Sequence, residues 1–251
     1  MSLQHLASLI ADRAGDGRAA VALSGGVDSG LAATAAFMAL GDRAVACTVS
    51  SELTPKRDRL RAAEAADRIG IEHHVLYMSA LASSGVQRNL SDRCYYCKRL
   101  VFGAMRDAVG GESLLIDGTN AEDDPARPGL RAVREFGVYS VLADAGLGKS
   151  EIRSLAREAE LPNWDAPSES CLATRIPEGV ELAAGDLGRV ADLETFLHSL
   201  GADTVRVRPD NLMATVEHLP QFGGIMMKNR DKIVAVAEAI GFGSCRFREW
   251  S

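Results

Sequence analysis

An α/β fold built on a parallel sheet, followed by a smaller α+β unit, is what this sequence predicts. Three observations carry that expectation. Apolar, strand-forming runs alternate with helix-forming segments through the first two thirds of the 251 residues. An apolar fraction of 47% is enough for a substantial core. The alternation then stops at a proline-bearing loop, Leu161 to Ser170, beyond which the pattern becomes strand, turn, strand. The expected division is 1–177 for the parallel-sheet domain and 178–251 for the small α+β domain, which would bind substrate or mediate oligomer contacts.

The elements follow in order. Helices are expected at about 3–14, 29–40, 55–69, 92–109 and 150–159, and strands at about 19–24, 44–49, 72–77, 113–117 and 138–142. Ala19 to Leu23 reads as a buried strand, and Leu31 to Leu40 is a strong helix former. His73 and His74 place one ring on each face of their strand. Beyond the loop, a helix near 185–200 precedes Thr204 to Arg208, the turn Pro209-Asp210-Asn211 and Leu212 to Val216, which read as a hairpin. A helix near 227–240 and a last strand near 244–248 complete the chain. In such a sheet, ligands gather at the carboxyl ends of the strands, where Ser24, Ser50 and Asp117 fall.

Composition narrows the function classes. The 28 basic and 34 acidic side chains give a net charge of −6, which argues against a broad nucleic-acid surface and leaves room for a local basic cleft. Met1 to Gly17 is amphipathic and carries Asp12 and Asp16, unlike a secretory signal, and the longest apolar run is too short to span a bilayer. A cytoplasmic location is therefore expected. The 5 cysteines are an odd number, and disulfide pairing is not expected there. Cys47 and Cys245 read as small core hydrophobes.

The most specific motif is Ser24-Gly25-Gly26-Val27-Asp28-Ser29, set between a strand and a helix. A glycine-rich turn there aims unpaired backbone N–H groups at one point with the helix dipole behind them, and the serine hydroxyls add donors suited to phosphate oxygens. A phosphate would repel Asp28 unless a divalent cation lay between them, which suggests Mg2+. Gly148-Lys149-Ser150 is not a Walker A sequence, because Ala143 stands where that pattern requires glycine. The charge of Lys149 remains available to a phosphate or substrate.

Two further groups could carry chemistry. Cys94 and Cys97 form a Cys-x-x-Cys at a helix start, where the dipole favours thiolate for either redox chemistry or metal ligation. No second such pair completes a four-ligand zinc site, whereas three thiolates with one open position suit a [4Fe-4S] cluster. Cys171, beside the cation of Arg175, is the natural third ligand. Asp117-Gly118-Thr119-Asn120 ends a strand ahead of a charged loop whose carboxylates could bind Mg2+ and whose arginines could clamp an anion. Arg206 and Arg208 alternate on one strand and so face one side, where paired guanidiniums could hold a phosphate.

The Ser24–Ser29 loop resembles the PP-loop of the ATP pyrophosphatase superfamily, which cleaves ATP between its α and β phosphates. Together with Asp117 to Asn120, Arg127-Pro128-Gly129, Lys149 to Arg153, Cys171 to Pro177 and Val205 to Arg208, it makes nearly the whole chain resemble the LarE family of ATP-dependent sulfur transferases. The resemblance implies an adenine nucleotide alpha hydrolase-like fold. It implies adenylation of the carboxylates of pyridinium-3,5-biscarboxylic acid mononucleotide and their conversion to thiocarboxylates for the nickel-pincer nucleotide. ATP, Mg2+ and a [4Fe-4S] cluster are the cofactors implied. Ser24, Gly25, Gly26, Asp28 and Ser29, with Asp117, Gly118, Thr119 and Asn120, would bind ATP; Arg206, Arg208 and Arg175 would bind substrate. Cys171, Asp28 and Lys98 would be catalytic, and Cys94, Cys97 and Cys171 would hold the cluster. In some family members the cysteine matching Cys171 is instead sacrificed and ends as dehydroalanine. The sulfur would come from sulfide or a sulfur-donating protein, and the enzyme would be a homo-oligomer. A cluster-dependent tRNA thiolase, an amide-forming enzyme of the NAD synthetase type and a non-catalytic Fe–S or nucleotide-binding module are the rival readings.

Overall fold

The computed structural model describes residues 1–167 and 169–250; Ser168, in the long loop, and Ser251 lie outside the described residues. Helix α1 (Leu3–Ala14) leads into β1 (Ala19–Ala22), α2 (Val27–Leu40), β2 (Ala44–Ser50), α3 (Lys56–Ile69) and β3 (Glu72–Tyr77). A short α4 (Ser84–Gln87) and a long α5 (Arg93–Val109) then return the chain to β4 (Leu114–Ile116). The four strands pair in parallel in the order β3-β2-β1-β4. An α/β fold with a parallel sheet is therefore confirmed.

Side-chain alternation sorts the two faces of the central strand. Ala19 and Val21 pack with Leu6 and Ile10 of α1 and Leu31 and Ala35 of α2. Ala20, between them, packs with Tyr95, Phe102 and Met105 of α5 on the other face. Cys47 is 2% exposed in that second layer, and burial pushes its thiol up to about 11, as a core residue requires. His73 shares a hydrogen bond of 2.8 Å with Thr48, a structural role.

The fifth strand expected at 138–142 does not form. Tyr139 makes one isolated parallel bridge to Ile116, and the chain then coils into α7 (Val141–Asp144). The reason is local: Ser140 turns its hydroxyl to Asp117 Oδ1 at 2.7 Å, while Val141 and Leu142 sink into the core beside α1. Before it, α6 (Pro128–Glu135) forms where the sequence shows only a charged loop, with Pro128 at its first turn.

After α8 (Lys149–Glu158) the long loop reaches a 3-10 turn at Leu172–Arg175 and then α9 (Ala184–Ser199). Strands β5 (Val205–Asp210) and β6 (Met213–His218) pair antiparallel as the hairpin predicts, with Asn211 at φ +51° in the turn. The helix expected at 227–240 is two helices, α10 (Gly223–Lys228) and α11 (Arg230–Ala239). They break at Asn229, whose amide donates to Ile225 O. Strand β7 (Ser244–Glu249) then joins β6 in parallel. The second core packs Leu187, Val190, Leu193 and Leu197 of α9 under Val205, Val207 and Val216, and also takes in Leu53, Val86 and Leu172. No helix among the described residues is long and apolar enough to cross a membrane.

Candidate active site

The Ser24–Ser29 loop leaves the carboxyl end of β1 and enters α2, whose first turn holds Asp28. Ser29 Oγ accepts from Ser24 N at 3.1 Å and donates to Gly26 O at 2.9 Å, which folds the loop into a closed turn. Gly25 stands at φ +88°, and a Cβ there would meet the carbonyl oxygen of Asp58 at 2.2 Å. Both the conformation and the close approach require glycine. Gly25→Ala is accordingly expected to cost about 1–3 kcal/mol of stability, which urea unfolding would measure, and to weaken ATP binding.

Opposite the loop, Asn120 Nδ2 donates to Asp28 Oδ2 at 2.9 Å, and Lys149 pairs with the same oxygen. Asp28 Oδ1 is buried without a hydrogen-bond partner among the described residues. A bare carboxylate oxygen beside a phosphate cradle suits a divalent cation, so the residues present fit Mg2+. Asp117 has a different task. It accepts from Thr119 N and Ser140 Oγ through Oδ1, and from Thr119 Oγ1 and Lys98 Nζ (3.1 Å) through Oδ2. These four bonds lock the loop that carries Asn120. Gly118 backs directly onto Ser29 N, where a Cβ would come within 2.8 Å, and Gly129 leaves space for the Lys98 chain.

Cys94 and Cys97 lie on the first turns of α5, and Cys171 heads the 3-10 turn. Cys97 and Cys171 both pack against the second core, and each feels the charge of Cys94. Burial first, then the charges of Cys171 and Cys94, push Cys97 up to about 12, and burial raises Cys171 as well. Among the described residues, no three His, Cys, Asp or Glu side chains form a group that could hold a metal ion. Thiols are the donor type that Fe–S clusters use, and α5 and the 3-10 turn supply three of them.

Arg175 is 1% exposed and fully engaged. Nε and Nη2 bond both oxygens of Glu194 at 2.8 and 3.0 Å, and Nη1 donates to Ser170 O, Ser170 Oγ and Thr174 Oγ1. In this geometry Arg175 pins the Cys171 segment to α9 and offers no free donor to a substrate. Arg206 and Arg208 do share one face of β5. Arg208 donates to Glu217 Oε2 at 2.7 Å and to Thr174 O at 2.8 Å, so the arginine face abuts the Cys171 turn.

Several residues of this region escaped the sequence reading. Asn163, 4% exposed, donates to Gly25 O at 2.7 Å and braces the phosphate loop from the long loop. An open cleft of about 340 Å³ lies beside it, lined by Arg57, Arg61, Glu64, Asn163, Asp165 and Asp203. Asp58, behind Gly25, faces Glu169 amid Arg57, Arg61 and Arg175, and burial followed by Glu169 raises it from 3.8 to about 6. A carboxyl that binds its proton more tightly when folded costs nothing below 3.8 and progressively more as pH rises to about 6. Stability is therefore expected to fall across that window by on the order of 3 kcal/mol from this group. Asp58→Asn should flatten the slope in urea unfolding at stepped pH.

Residues 4–103 match the family model for asparagine synthase. An uncharacterised Synechocystis protein is 38% identical over 81% of this chain and 77% of its own length. The pyridinium-3,5-bisthiocarboxylic acid mononucleotide synthase of Lactiplantibacillus plantarum is 33% identical over 90% of this chain and 83% of its own. The tRNA-specific 2-thiouridylase of Azorhizobium caulinodans is 29% identical over 70% of this chain and 57% of its own. A phosphate loop without a Walker A sequence, continued by a match to the Lactiplantibacillus synthase along nearly the whole length, means that this chain belongs to the LarE family of PP-loop enzymes and has their adenylating chemistry.

Proposed function

We propose that the enzyme adenylates a carboxylate of pyridinium-3,5-biscarboxylic acid mononucleotide and replaces one of its oxygens with sulfur. The observation that carries this reading is the hydrogen bond from Arg208 to Thr174 O, which supports a sulfur site on the Cys171 turn next to the arginine face. A substrate held by its phosphate on Arg206 and Arg208 would then present its ring to the sulfur site. Residues 1–177 would activate the substrate and residues 178–251 would hold it.

The carboxylate oxygen attacks the α-phosphorus of ATP, and pyrophosphate leaves. Ser24 to Ser29 receive the departing phosphates on backbone N–H groups and hydroxyls. Lys149 and Lys98 add charge that balances the leaving group. Mg2+, held by Asp28, would shield the negative charge of the pyrophosphate. A sulfur nucleophile then attacks the acyl carbon, and AMP departs with the replaced oxygen. Cys94, Cys97 and Cys171 would hold a [4Fe-4S] cluster, which supplies an iron with an open position for sulfide. Sulfide or a sulfur-donating protein would supply the sulfur.

The test is single-turnover release of AMP with three acceptors in parallel. The pyridinium mononucleotide should stimulate release, while unmodified tRNA and an acid with ammonia should not. Stimulation by tRNA alone would establish the thiolase reading suggested by the thiouridylase match.

A further inference from the structure

The second sheet carries more positive charge than one phosphate-binding pair explains. Its order is β5-β6-β7, and the register aligns two rows across it. Arg208 lies opposite Thr215, which lies opposite Arg246; Arg206 lies opposite Glu217, which lies opposite Arg248. Val205, Val207, Ala214 and Val216 point the other way into the core, so all four arginines stand on the outer face, where Asp210 ends the β5 row at the exposed tip.

Glu217 is the carboxylate inside this group, and two arginines already use it. Arg208 Nε donates to one of its oxygens and Arg248 to the other. Arg246 has only a hydroxyl: its Nε donates to Thr215 Oγ1 at 2.8 Å, leaving both terminal nitrogens free of protein acceptors among the described residues. Arg206 stacks 3.9 Å over the Trp250 ring and has no acid partner among the described residues. Burial, Arg175 and Arg208 depress its pKa, the mark of a cation among cations. Four guanidiniums around one carboxylate form a face that an external anion would neutralise.

We propose that Arg246, contributed by β7, is a third phosphate-binding residue, which joins Arg206 and Arg208 on the phosphomonoester of the mononucleotide. Arg246 shares a row with Arg208 across Thr215. Arg208 gives Nε to Glu217 and Nη1 to Thr174 O, which ties this anion site to the Cys171 turn and leaves Nη2 for the phosphate, while Arg248 is held by Glu217. The proposal rests on the proposed function and deepens it. The last strand thereby completes the substrate site rather than merely closing the sheet.

The experiment compares wild type, Arg246→Gln and Arg246→Lys in titrations with the pyridinium mononucleotide and with its dephosphorylated nucleoside. Loss of a charge-assisted contact should weaken the mononucleotide about ten- to a hundredfold while nucleoside and ATP affinity stay unchanged. The lysine variant, which keeps a point charge without the fork, should fall between the two. Equal mononucleotide affinity in all three proteins overturns the assignment, as does equal weakening of nucleoside and mononucleotide. If Arg246→Gln melts early, the phosphate-dependent affinity ratio of Arg246→Lys against wild type decides. Failure of wild type itself to bind the mononucleotide refutes the proposed function instead.

Discussion

Replacing Asp28 with alanine is expected to abolish formation of AMP and pyrophosphate, a loss on the order of 10²–10³ in kcat from removing one charge-stabilising group. The side chain is poised between two demands. One oxygen takes Asn120 and Lys149, and the other is buried with no protein partner among the described residues. Removing the carboxylate removes the cation seat and releases Lys149, whose side chain is 40% exposed and returns to solvent at little cost. The fold should therefore survive, with an unchanged urea midpoint. Near-normal AMP release from Asp28→Ala, or ADP and phosphate as the main products of wild type, would contradict the assignment.

The second large effect lies in the pair Arg175–Glu194. Glu194 is 4% exposed, bonds Arg175 twice, and accepts from Val207 N at 2.8 Å. Glu194→Ala leaves a buried guanidinium without its hydrogen-bonded counter-charge, with Glu169 still 3.9 Å away, and should cost about 3–5 kcal/mol of stability. An apolar replacement of both partners, Arg175→Met with Glu194→Leu, should regain much of that loss, because two charges no longer need desolvation. Sulfur transfer should stay impaired in the double variant, since the bonds from Arg175 to Ser170 and Thr174 that hold the Cys171 turn are gone. Urea unfolding alongside thiocarboxylate formation separates the two effects. A double variant no more stable than Glu194→Ala would show that the pair matters for packing rather than for charge.

Much of this was legible in the sequence, for identifiable reasons. Strand β3 runs over 72–77 as expected, because Val75, Leu76 and Tyr77 form a short run of apolar and aromatic residues. Asp28 stands out in the sequence because it sits in the glycine-rich turn Ser24–Ser29 between a strand and a helix, and Asp117 because it ends a strand ahead of a loop. What stayed hidden depends on tertiary partners. Asn163 sits in a loop without periodicity, and nothing local says that its amide will reach Gly25. The 138–142 strand failed because Ser140 binds Asp117, a contact 23 residues away in sequence. Glu194 did leave a signal: an acid on the same helix stripe as Leu187, Val190 and Leu197 needs a buried cation, and Arg175 supplies it. Glu217 and the β7 arginines became meaningful only once the register of the second sheet was known.

The measurement that bears most directly on the central claim, that Cys94, Cys97 and Cys171 act as one sulfur-transfer site fed by the PP-loop, is the mass of Cys171 after turnover. Protein purified and assayed without oxygen should form several thiocarboxylates per chain in the presence of sulfide while Cys171 keeps its full mass. Cys94→Ala, Cys97→Ala and Cys171→Ala should each lose iron, sulfide and repeated turnover, whereas Cys47→Ala and Cys245→Ala keep all three. One sulfur transferred per chain, a Cys171 lighter by about 34 Da through loss of H2S, and full activity in Cys94→Ala and Cys97→Ala would contradict the claim.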